Sequence, residues 1–156
     1  MSASPFVLFG NIHIITMVSI IAVSIFLPLI YKNKSDLQKS LMTKIIAFTL
    51  IAHVVISPYK DLFILENPYN WREVLPFHMC DFSEIFLACF LLGGPKILYK
   101  CAFFWGIGGA TMAILTPDIS HHNLDYAFFM IGHGMIVIGV MYATDALNNR
   151  PYARDI

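Results

Sequence analysis

The sequence predicts an all-α protein: a polytopic transmembrane helix bundle with five spans, forming a single integral membrane domain over residues 1–156. Composition is the first observation behind this. The chain is 58% hydrophobic and only 13% charged, with a mean hydropathy of +0.69, and soluble domains of this size rarely carry so little charge. The second is a set of apolar runs long enough to cross about 30 Å of hydrocarbon. The third is the way Lys and Arg alternate between the connections.

The spans are expected near residues 11–31, 41–59, 75–92, 99–115 and 126–143. Lys32, Lys34, Lys39 and Lys44 follow the first span or open the second. The second leads to a connection holding Lys60 and Arg72 beside Asp61, Glu66 and Glu73. Lys96 and Lys100 follow the third span, which carries a histidine, a thiol and two carboxylates. The fourth contains Gly106-Ile-Gly-Gly-Ala-Thr111, where Gly106 and Ala110 make a small-xxx-small surface for close helix contact. Thr116-Pro117-Asp118 then stops that helix. The next connection has Asp118 and Asp125 but no Lys or Arg, and Arg150 and Arg154 follow the fifth span. By the positive-inside rule the N-terminus lies outside and the C-terminus is cytoplasmic, in what reads as a bacterial cell membrane. Tyr31, Tyr59, Tyr69, Trp71, Tyr99, Tyr126 and Tyr142 sit near span ends and read as an interfacial aromatic belt.

Several classes are excluded. Net charge is zero with no basic stripe, against nucleic-acid binding. Three cysteines without a CxxC argue against a disulfide framework or a zinc ribbon. Residues 1–10 lack a basic segment, so no cleaved signal peptide is expected.

Ionisable groups in hydrocarbon are costly and usually face a bundle interior or a wet cavity. With the N-terminus outside, His13, His53, His78 and His133 all fall in the outer part of the bilayer. Cys80, Asp81 and Glu84 lie at or just below the level of His78, and Asp118 closes the fourth span on the same side. Along a helix His78 can meet Asp81, Asp81 can meet Glu84, and Cys80 can meet Glu84. Such a cluster can perform acid–base chemistry, bind a cation or carry a proton. The plainer readings are interhelical hydrogen bonding for His13 and His53, a structural polar knot for Asp81 and Glu84, and apolar packing for Cys89 and Cys101. Packing is also open to Cys80, although its polar neighbours set it apart. The glycines of Gly132-His133-Gly134 can serve packing or let a substrate approach the imidazole. His121 and Asp125 fall one residue short of an HxxxxD acyltransferase motif. No HExxH or paired ExxH motif supports a metal, and no cofactor is expected.

Leu75-Pro-Phe-His-Met-Cys-Asp81, Gly109-Ala-Thr-Met-Ala-Ile-Leu-Thr-Pro-Asp118 and Ile131-Gly-His-Gly134 occur in that order on successive spans. With the N-terminal Phe9-Gly-Asn-Ile-His13, this pattern resembles the YwaF-like, transmembrane protein 164 family of multi-pass membrane proteins over essentially the whole chain. The resemblance implies a lipid acyltransferase, with a cysteine and a histidine as catalytic residues. Those roles would fall on Cys80 and His133, with Asp81 or Glu84 orienting an imidazole or tuning the thiol. Membrane lipids and a lipid acyl substrate are the implied partners. Family members usually carry about two further C-terminal helices, so the resemblance also implies a shortened member, a truncated reading frame or half of a pair. Such helices, or an oligomer, would then act in trans. The residues alone leave two other classes open: a transporter or cation-binding protein, and a non-catalytic membrane subunit.

Overall fold

A computed structural model of the chain describes residues 4–63 and 78–151. The start of the third expected span at 75–77 lies outside the described residues. So do Glu66, Tyr69, Trp71, Arg72, Glu73 and Arg154.

Five helices make up the described residues: α1 (Asn11–Lys32), α2 (Asp36–Phe63), α3 (Met79–Leu91), α4 (Lys96–Leu115) and α5 (Leu124–Asp145). Local chemistry sets several boundaries. Gly93, at φ 104°, turns the chain between α3 and α4 in a region that favours glycine. Thr116 leaves helical geometry just before Pro117, as the Thr-Pro-Asp stop predicts. The Asn123 side chain caps α5 by accepting from the Tyr126 N–H at 3.2 Å. Within α4, Ala102–Gly106 widens into a π-helical turn.

Four helices are long and apolar enough to cross a membrane: α1, α2, α4 and α5. Among the described residues α3 has 13, about 20 Å at 1.5 Å per residue, short of the roughly 30 Å core. The described residues therefore supply four such helices where the sequence suggests five.

Helix α5 is the centre of the bundle and touches α1, α2, α3 and α4. Leu50 of α2, Leu87 of α3 and Ile136 and Val140 of α5 are fully buried together. Small residues set how closely the helices approach. A Cβ built on Gly106 would lie 2.6 Å from Ile136 Cγ2, and one on Gly139 would lie 2.8 Å from Leu87 Cδ2. With Ala110 fully buried, the small-xxx-small reading of α4 holds. The outer faces are apolar: Ile15, Val18, Phe26 and Leu29 of α1, and Phe48 and Val55 of α2, are exposed. Such a surface suits hydrocarbon rather than water.

The aromatic belt is the sequence reading that changes most. Tyr59 is exposed, but Tyr99, Tyr126 and Tyr142 are buried inside the bundle. Each phenol finds an internal partner. Tyr142 donates to the Lys39 carbonyl at 3.0 Å, Tyr126 donates to Thr16 Oγ1 at 3.0 Å, and Tyr99 pairs with Thr144 Oγ1 at 2.7 Å. They are interhelical hydrogen bonds, placed near helix ends because that is where polar partners are available. Cys89 also departs from expectation: it is exposed rather than packed, while Cys101 is half-buried.

Candidate functional site

Helix α1 begins at the same end of the bundle where α2 and α4 finish and α3 and α5 start. A cavity of about 290 Å³ opens there. His53 and Lys60 reach it from α2, Cys80, Asp81 and Glu84 from α3, and His133 from α5. Ser57 of α2, Asp118, in the loop after α4, and Asp125, in the first turn of α5, add to its polar lining, with Phe128 and Phe129 on the apolar side.

Six of the eight sequence-predicted residues therefore line one cavity: His53, Cys80, Asp81, Glu84, Asp118 and His133. The other two do not. His13 is fully buried, its Nδ1 accepting from the Phe9 N–H at 3.0 Å and its Nε2 donating to the Ile114 carbonyl at 2.8 Å. Both nitrogens are thus committed to tying the chain before α1 to the end of α4. His78 is exposed and stands just before α3 rather than within it. Its meeting with Asp81 is a backbone one, in which the His78 N–H donates to Asp81 Oδ2 at 3.0 Å and caps the helix.

The most buried polar contact in the cavity wall joins α2 to α3. His53 Nδ1 lies 2.8 Å from Glu84 Oε2, and Glu84 is only 2% exposed. His53 Nε2 lies 3.0 Å from the Phe128 carbonyl. A carbonyl can only accept, so Nε2 carries a hydrogen. Gly132 makes this arrangement possible: a Cβ there would collide with the His53 ring and lie 2.9 Å from Glu84 Oε1. The flanking glycines of Gly132-His133-Gly134 thus admit neighbouring helices. Gly132 makes room for His53 and Gly134 for Ile20, whose Cδ1 a Cβ would meet at 3.1 Å.

His133 is set differently. Its Nδ1 donates to the Phe129 carbonyl one turn back at 2.8 Å, and its ring lies 4.2 Å from the Phe129 ring centroid. With Nδ1 carrying the hydrogen, the neutral imidazole presents Nε2 as a lone-pair acceptor. Cys80 is half-buried, against Gly109 of α4, where an added Cβ would lie 3.9 Å from its Sγ. Among the described residues no hydrogen bond joins Cys80 to His133.

Sequence reasoning missed the cavity's other charged pair. Lys60 Nζ donates to Asp125 Oδ1, linking the end of α2 to the start of α5, and also lies 5.5 Å from the Phe128 ring centroid. Lys60 is only 5% exposed. Its place on the same side as Asp125 was the available signal, but from sequence it falls in the connection after the second span and bears only on orientation. Among the described residues no group of three or more His, Cys, Asp or Glu is arranged to hold a metal ion.

An uncharacterized protein of Treponema pallidum (strain Nichols) is 29% identical over 87 residues, covering 52% of this chain and 36% of that relative. The matched stretch is thus little more than a third of the relative's length. No solved structure matches. Residues 8–156, nearly the whole length, match the TMEM164 family, and the chain belongs to that family.

Proposed function

We propose that this protein is a multi-pass membrane enzyme that performs Cys/His acyl transfer, or the related hydrolysis, on a lipid ester. The observation that carries the reading is convergence: Cys80 from α3 and His133 from α5 line one cavity, and His133 has Nε2 available to accept a proton. In this chemistry the Cys80 sulfur attacks the ester carbonyl while His133 Nε2 takes the thiol proton. The alcohol then leaves with that proton, and the acyl group stays on sulfur as a thioester. A second alcohol, or water, takes the acyl group and restores the thiol. The positive-inside pattern puts the cavity in the outer leaflet, the N-terminus outside and the C-terminus in the cytoplasm. A fifth crossing, through the segment that includes α3, belongs to the same proposal.

Labelling of native membranes with a lipid-mimetic electrophile tests the reading. Selective modification of Cys80, lost in Cys80→Ser and strongly reduced in His133→Ala, is the expected result. Equal labelling of Cys80, Cys89 and Cys101 overturns it.

A second reading, a transporter or cation-binding protein, is favoured by the cavity's charge. Among the described residues Asp81, Glu84, Asp118 and Asp125 share the lining with a single Lys or Arg, Lys60. Under that reading Asp81→Asn weakens cation binding while Cys80→Ser leaves it intact.

A further inference from the structure

We propose that His53 and Glu84 form a proton-exchange site of the cavity, separate from Cys80 and His133, that holds one proton and trades it with water or a bound ligand. The bonding pattern carries this. His53 Nε2–H is spent on the Phe128 carbonyl, a group with no hydrogen to give. The 2.8 Å contact between Nδ1 and Glu84 Oε2 then needs one hydrogen between them. Without it a lone pair would face a carboxylate.

Whether that hydrogen sits on nitrogen or oxygen, the pair is neutral overall, which is how Glu84 tolerates its burial. Release of the proton leaves neutral imidazole beside carboxylate. Uptake from water restores the pair. Both side chains line the cavity, so the proton has a route out.

Among the described residues the titratable groups that share the cavity with the pair come from four elements. Helix α3 contributes Cys80 and Asp81, α5 contributes Asp125 and His133, α2 contributes Lys60, and the loop after α4 contributes Asp118. His133 differs from His53 in kind. Its Nδ1–H is bonded to the Phe129 carbonyl and its Nε2 is an acceptor, so it takes a proton where the pair already holds one. Gly132 is the positioning residue that lets the pair form.

Nitrogen-15 histidine spectra of the whole chain in phospholipid nanodiscs test the proposal, with His53→Gln assigning the His53 signals. Three results are expected. Nε2 stays protonated across the range in which free imidazole titrates. Nδ1 shows a shared proton that is lost in Glu84→Gln. Saturating the water signal attenuates that proton. An Nε2 that loses its hydrogen, an Nδ1 signal indifferent to Glu84→Gln, or a link proton that does not exchange with water each overturns the proposal. The wild-type spectra decide even if Glu84→Gln fails to fold. The inference holds under either functional reading, because Cys80→Ser leaves these signals in place and the labelling of Cys80 does not depend on them.

Discussion

The His53 imidazole bridges Glu84 on α3 and the Phe128 carbonyl on α5, one nitrogen to each, at 2.8 and 3.0 Å. One side chain of α2 thereby cross-links three helices beside the cavity. Removing one partner of so buried a pair strands the other. We expect Glu84→Ala to destabilise the protein by about 3 kcal/mol and Glu84→Gln by about 1 kcal/mol, since an amide can still bond to Nδ1. Thermal unfolding in detergent checks the order. Equal losses for the two variants would mean that an amide of the same volume cannot stand in for the carboxylate beside Nδ1.

Glycine positions give a graded series. Gly132→Ala must displace the His53 ring, and a loss of about 2–3 kcal/mol is expected. Gly134→Ala meets the Ile20 side chain at 3.1 Å, a milder approach than that of Gly132 to the His53 ring, and should cost less. Gly108 has nothing within 4 Å of an added Cβ, so Gly108→Ala should be neutral or stabilise by up to about 1 kcal/mol. A Gly108→Ala variant as damaged as Gly132→Ala would contradict the packing described for α4 and α5.

His13 separates fold from chemistry. Its two bonds, to Phe9 and Ile114, lie in a fully buried position. His13→Ala should cost about 2 kcal/mol, yet leave electrophile labelling of Cys80 unchanged in the molecules that fold. Loss of labelling at wild-type thermal stability would instead bring His13 into the chemistry.

Tyr142→Phe tests the opposite end of the bundle. The phenol is fully buried and donates to the Lys39 carbonyl, so the variant should lose about 1 kcal/mol. An interfacial tyrosine would show almost no change, and thermal unfolding distinguishes the two.

Much of this protein was legible before any fold was known. Composition and hydropathy follow from residue counts, and they establish a helical membrane protein because hydrocarbon demands internally satisfied backbone. The helix stop at Thr116 and the close contact at Gly106 were legible for a similar reason, as each depends on local geometry. So was the clustering of His53, Cys80, Asp81, Glu84, Asp118 and His133, since alternating helices place polar residues at a common depth. Depth along a helix can be counted from sequence, but direction around it, once five helices pack, cannot. Only the tertiary structure decided that Glu84 has His53 as its partner, that Lys60 turns inward to Asp125, and that His13 and His78 stay out of the cavity. It also drew Tyr99, Tyr126 and Tyr142 into the bundle, because a buried polar atom takes whatever partner packing brings within about 3 Å, and that partner lies 45 to 110 residues away in the chain.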